Sequence, residues 1–317
     1  MDTRLRGMVD FCRSLALARS SKIAYAGHIK IYKDFCNTFG FDEFTLSETE
    51  LALSVTHFTL GHTVSSVPSF LSAVQHYWTA ADAGLLPKGP AFKLFHRGLK
   101  RVFGTADEVV RTTALTVEDL ATMCSKLDMT DPNQVSFGCE IITAFFLALR
   151  TEDHVDGRLQ HRDIYPQEDG SVEFILPPGK SVHVYRHVAV PKRTDGLDLL
   201  TWFKALAAFQ PAWARAPHRP VFTNFAAGMD GVRRFEKVSR AQFTARFKAA
   251  VRSSLGLNPA LHAGYSLRRG GVTAMIMAGV PAAIIKRHVG WTPGSEAIFL
   301  YYDHSGYANK RRPTQDI

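Results

Sequence analysis

A polar stretch with no apolar period, Gly104 to Thr113, separates two long blocks in which apolar residues recur at helical spacing. That break constrains the fold more than any single motif. A chain of 317 residues is too long for one ordinary small domain. It reads as a domain over 1–105, a linker over 106–113 and a second domain over 114–317.

The first block is helical throughout. After Ser20 and Ser21, which suit an N-cap, Tyr25, Ile29, Tyr32, Phe35 and Phe39 fall on one face, and Gly40 closes the helix. LSETELALSVTHFTLGH and SVPSFLSAVQHYWTAADAG give two more helices, the latter with Pro68 in its first turn. The next helix, Ala91 to Phe103, has two characters. Phe92, Phe95, Leu99 and Phe103 share one side, and Lys93, Arg97, Lys100 and Arg101 the other, a basic stripe suited to a phosphate backbone or simply to water.

In the second block, Thr116 and Asp119 form a capping box for TVEDLATMCSKL. A strongly apolar helix, IITAFFLALR, runs into the charged TEDHVDGR. Val172 to Leu176 and Val182 to Val190 read as a β-hairpin with Lys180 at its tip. Helices resume after Pro191. From Tyr265 the chain reads YSLRRGGVTAMIMAGVPAAIIKRHVGW: one helix ending at Gly279, then another from Pro281 to near Gly290, followed by a Tyr pair, Tyr301 and Tyr302. The fold class is therefore mainly α with a small β-hairpin or sheet.

Lys plus Arg total 38 against 29 Asp plus Glu, a formal charge of +9 that favours polyanionic partners. The four cysteines lie in no CxxC or Cys/His zinc spacing and read as free thiols. The opening MDTRLRGMVDF has no apolar run of the secretion-signal kind, and no stretch of about 20 apolar residues occurs. These features predict an intracellular protein, nuclear if the host is eukaryotic and otherwise cytoplasmic, with no membrane partner.

The segment YSLRRGG, the G-V-P helix, the Gly290-Trp291 pair and the tyrosines resemble the catalytic core of tyrosine recombinases, the phage-type integrases. FFLALRTED resembles the family's first arginine with its following acid, Arg150 and Asp153, and Lys180 sits where the family has its hairpin lysine. The SLRRGG wording and the W-x-x-x-S-x-A spacing lean towards DIRS-like and Crypton-like mobile elements. The resemblance implies a two-domain C-shaped clamp on double-stranded DNA, with a helical core-binding domain ahead of the catalytic one. It also implies a homo-tetramer on paired sites and chemistry without metal or small-molecule cofactor.

Arg150, Lys180, Arg268 and Trp291 are then the catalytic donors, Tyr301 or Tyr302 the nucleophile, and Arg269 and His288 DNA contacts beside the Lys93–Arg101 stripe. The spacing from Ser295 and Ala297 favours Tyr301, and Tyr302-Asp303-His304 favours Tyr302. One position departs from the family: Tyr265 stands where its histidine opens the HxLR motif, with His262 and His288 near in sequence. That departure keeps a DNA-binding protein without cleavage open as an alternative, with a type IB topoisomerase behind it. A metal-dependent nuclease would need a carboxylate cluster, and no D-x-D occurs.

Overall fold

The computed structural model describes residues 8, 19–103, 112–178, 184–227, 233–299 and 301. It divides into two compact units, 1–109 and 110–317.

The first unit packs helices α1 (Arg19–Phe39), α2 (Glu48–Thr59), α3 (Val67–Ala80) and α4 (Pro90–Phe103) around Tyr32, Phe35, Leu51, Phe58, Phe70 and Trp78. Ser47 caps α2 in a capping box with Glu50. Glu48, in the same turn, reaches across to accept the Phe92 N–H at 2.7 Å, which pins the start of α4 to the start of α2. On α4, Phe92 and Leu99 are buried while Lys93, Arg97, Lys100 and Arg101 face solvent. The expected apolar faces are shorter than their spacing implies. Phe39 and Phe103, each at the last turn of its helix, are 56% and 54% exposed, although the Phe39 ring still meets the edge of His57 on α2.

The second unit is built on α6 (Pro132–Phe146), buried along nearly its whole length. Around it lie α5 (Val117–Ser125), the short α7 (Thr151–His154), α8 (Leu199–Phe209), α9 (Arg240–Leu255), α10 (Tyr265–Met277) and α11 (Ala282–Val289). The expected Thr116–Asp119 capping box is present. Thr113, placed in the linker by sequence, donates its N–H to Leu261 O at 2.7 Å and so is bonded into this unit.

The β structure is larger than one hairpin. Strand β1 (Ile164–Pro166) pairs antiparallel with β2 (Val172–Leu176), which pairs with β3 (Arg186–Val190). Val188 and Val190 turn inward as expected, but Val184 is 64% exposed and β3 begins only at Arg186. Residues 179–183, including Lys180, lie outside the described residues. A second hairpin, β4 (Thr223–Ala227) with β5 (Arg233–Lys237), interrupts the helices expected after Pro191. No helix among the described residues is long and apolar enough to cross a membrane.

Candidate active site

The floor of the site is the crossing of α6 and α10, and two glycines permit it. A Cβ on Gly271 would lie 2.1 Å from Phe145 O, and one on Gly270 2.2 Å from Leu115 O. Only bare backbone fits, so the SLRRGG sequence buys an approach close enough to bury the side chain between the helices, Arg268. Arg268 is 1% exposed. Its Nη1 donates to Ala148 O at 2.5 Å and its Nη2 to Val289 O at 3.3 Å.

Both acceptors are carbonyls left over at helix ends. Ala148, just past α6, holds a left-handed φ of 46° that turns its carbonyl onto the guanidinium. For a residue with a Cβ that conformation costs about 1–2 kcal/mol. Burial works against the charge of Arg268, as does the nearby Arg150. A guanidinium nevertheless stays protonated, so the consequence is a cationic centre held at a cost.

Arg150 was expected to end the apolar helix. Instead α6 stops at Phe146, and Arg150 is the extended N-cap of α7, its backbone N–H given to Asp153 Oδ2 at 3.0 Å. Its guanidinium makes no hydrogen bond or ion pair with a described residue. The α7 turn is seated on the start of α10, where a Cβ on Gly264 would fall 2.4 Å from Thr151 Oγ1. That contact sets Arg150 beside the helix that carries Tyr265 and Arg268.

Tyr265 and Tyr301 meet through their hydroxyls at 2.6 Å. Tyr301 is 4% exposed and Tyr265 42%. The Tyr301 ring packs with Ala148, Val272, Ile285, Val289 and Ile298, and its centroid lies 5.3 Å from that of Trp291. Burial raises the Tyr301 phenol well above its ordinary value; the bond to Tyr265 adds to this, and Arg268 opposes it. Trp291 also stacks under Arg268, whose guanidinium carbon is 5.5 Å from the indole centroid. The Gly290 φ of 74°, the αL cap of α11, turns the chain so that Trp291 enters the site.

Arg150, Tyr265, Arg268, Trp291 and Tyr301 thus share one locality, although they span half the chain. Lys180 and Tyr302 lie outside the described residues.

Two of the expected DNA contacts are directed elsewhere. Arg269 is 6% exposed and donates to Thr112 O at 2.7 Å, which fastens the chain entering the second unit to α10. His288 donates from Nε2 to Phe146 O at 2.8 Å, and burial lowers its pKa. It is a neutral tie between α6 and α11. His262 donates from Nδ1 to Asn258 O at 3.0 Å, and no histidine is among the described groups bonded to Tyr301.

Sequence reasoning missed Arg186. It opens β3, donates from Nη1 to His288 O at 2.7 Å and feels the charges of Asp153, Arg268 and Arg150. An arginine in a strand otherwise alternating valines was the one local signal.

No protein-family model and no curated protein matches the sequence. Solved structures do match. The XerH site-specific recombinase in a pre-cleavage complex with its difH substrate superposes with a TM-score of 0.61 at 14% identity, over 91% of this chain and 78% of that one. The Tn1549 transposon integrase bound to circular intermediate DNA gives 0.61 at 12% identity, over 94% and 95%. A lambda integrase dimer on a core site gives 0.56 at 15% identity, over 99% and 79%. At these identities the likeness is one of fold, and on it the chain has the fold of the tyrosine recombinases.

Proposed function

We propose that the chain is a site-specific DNA recombinase or integrase that cuts and rejoins strands through a covalent 3′-phosphotyrosine. The observation that carries this reading is the Tyr301 hydroxyl bonded to that of Tyr265 within the field of the buried Arg268, with Arg150, which has no partner among the described residues, acting on the same guanidinium. In the proposed step the Tyr301 oxygen attacks phosphorus and its proton leaves through the half-exposed Tyr265 hydroxyl to water. The phosphorus–O5′ bond breaks, and Lys180 gives O5′ its proton, a role that rests on the resemblance. Because the phosphotyrosine keeps the bond energy, rejoining needs no nucleotide.

Charge builds on the non-bridging oxygens during attack. Arg150 and Arg268 offer planar forks there, each worth a factor of about 10² to 10³ in rate. Making a phenolate at neutral pH costs about 4 kcal/mol even for a tyrosine in water. Tyr301 starts from a higher value still, so the substrate complex must supply cations to it. The Lys93, Arg97, Lys100 and Arg101 stripe of α4 would hold the duplex by its phosphates, and four protomers on two sites would carry out exchange. Residence follows the DNA: the nucleus of a eukaryotic host, otherwise the cytoplasm.

A second reading is a recombinase-derived protein that binds DNA and no longer cuts. It is favoured by Tyr265, which gives Tyr301 a phenol in place of a base that works at neutral pH. The two part on a duplex selected by the protein from a random pool and remade with a bridging phosphorothiolate. A trapped protein–DNA adduct that disappears in Tyr301→Phe supports the enzyme. A mobility shift with no adduct at any pH supports the binder.

A further inference from the structure

The Arg186 guanidinium makes one hydrogen bond to a described residue, from Nη1 to the His288 carbonyl, and its other N–H groups bond to none of them. The contact completes a pattern. His288 and Val289 carry successive carbonyls at the C-terminal end of α11, and two arginines take one each, Arg186 from β3 and Arg268 from α10. The fit is close. A Cβ on Gly290 would lie 3.0 Å from the Arg186 guanidinium, which therefore lies flat across the turn that delivers Trp291. Arg186 is also exposed to two clefts. One, of about 930 Å³, is lined by Tyr185, Lys286, Arg287, Gly290 and Trp291 as well. The other, much smaller, also touches Leu149, Asp153 and Arg158.

Three guanidiniums are gathered here, and among the described residues Asp153 is the carboxylate that acts on Arg186 and Arg268. Burial and the charges of Arg268 and Arg150 all work against the charge on Arg186. A mostly buried cation with unused donors and like-charged neighbours is expensive unless an anion joins it. Arg268 has spent two of its donors on carbonyls, whereas Arg186 has spent one. Its remaining fork is the geometry that grips two oxygens of one tetrahedral anion.

We propose that Arg186 is a third arginine of the phosphate site, anchored by one N–H to the end of α11 and presenting the rest to the anion bound by Arg150 and Arg268. This rests on the recombinase reading above and extends it: the group that binds is a phosphodiester, or a free phosphate as its smallest mimic.

The experiment is calorimetric titration of the full chain with inorganic phosphate, and then with orthovanadate. Wild type is compared with Arg186→Gln, Arg186→Lys and Arg150→Ala, each held well below its own Tm. Saturable binding by wild type is expected, weakened on the order of tenfold to a hundredfold in Arg186→Gln, as for a lost charged hydrogen bond. Arg186→Lys keeps a charged donor for the His288 carbonyl but no fork, so it should fold and fall between the two.

If Arg186 only latches β3 to α11, its variants lose Tm but keep wild-type phosphate affinity, while Arg150→Ala loses it. That result overturns the proposal and leaves the recombinase reading standing. If wild type itself binds neither anion, the phosphate site falls, and both readings fall with it.

Discussion

In the proposed reaction the chemistry turns on Tyr301, and its surroundings set a sign for pH. Burial and the Tyr265 hydroxyl both favour the neutral phenol, against Arg268. A phenol raised above its ordinary value of about 10 loses its proton only at high pH, so the phenolate population must still be climbing across the neutral range. Single-turnover cleavage should therefore keep rising to at least about pH 9; a plateau at neutral pH would mean that some other group takes the proton. Tyr301→Phe should abolish adduct formation and leave DNA affinity almost unchanged, measured by mobility shift beside denaturing gels. If adducts persist, Tyr302 is the nucleophile. The two arginines should separate. Arg150→Ala removes a side chain with no described partner, so cleavage should fall by about 10² or more with little change in Tm. Arg268→Ala should lose activity and also about 1–3 kcal/mol of stability by urea denaturation, because it leaves the Ala148 and Val289 carbonyls buried and unmet. The gathering of Arg150, Arg268, Trp291 and Tyr301 was legible because their order along the chain carries the pattern. Arg186 was not, since its partner lies 102 residues away and a lone arginine in a strand looks like a solvated one.

Among the elements, the helices were legible where their caps are local. Thr116 with Asp119 and the left-handed Gly40, Gly279 and Gly290 mark ends that the letters alone announce. Strand β4 was hidden for a physical reason. Its buried residues Thr223 and Asn224 are polar, and the α6 side chains pair with its backbone: Ser136 accepts the Thr223 N–H at 3.2 Å, and Asn133 bonds both the N–H and the carbonyl of Phe225. A strand whose buried face is satisfied by side chains shows no apolar alternation. The end of α6 was misread because FFLALR is apolar throughout, and apolarity says nothing of the left-handed Ala148 that stops the helix. The glycines of the α6–α10 crossing give a test of this level. Gly271→Ala pushes a methyl against the Phe145 carbonyl and should cost about 1–3 kcal/mol in urea denaturation, with activity lost as Arg268 shifts. Gly27→Ala on α1 meets nothing within 4 Å and should instead stabilise by about 0.5–1 kcal/mol. Equal effects at the two sites would mean that helix propensity, and not close approach, explains the glycines.

At the scale of the whole molecule, the governing quantity is a formal charge of +9 distributed over two units. In the first unit the α4 stripe faces solvent with no carboxylate paired to it among the described residues. In the second, Arg268 is buried and Arg150 and Arg186 are partly buried, and in the proposed reaction they meet the scissile phosphate. These two kinds of positive charge should respond differently to salt. A surface lysine or arginine that meets a phosphate releases condensed counterions, and each such contact adds about −0.9 to the slope of log K against log salt on duplex DNA. A buried arginine already stripped of water contributes to affinity for the reacting phosphate but much less to that slope, because salt screens it weakly. Replacing Lys93, Arg97, Lys100 and Arg101 together by Ala should therefore flatten the slope by up to about 3–4 while the adduct yield at saturating DNA holds. Arg150→Ala should do the reverse, keeping the slope within about one unit and losing the adduct. Fluorescence anisotropy across a salt series, with adduct yield read from the same samples, decides it. A wild-type slope that survives loss of the stripe would place the duplex on some other face of the first unit.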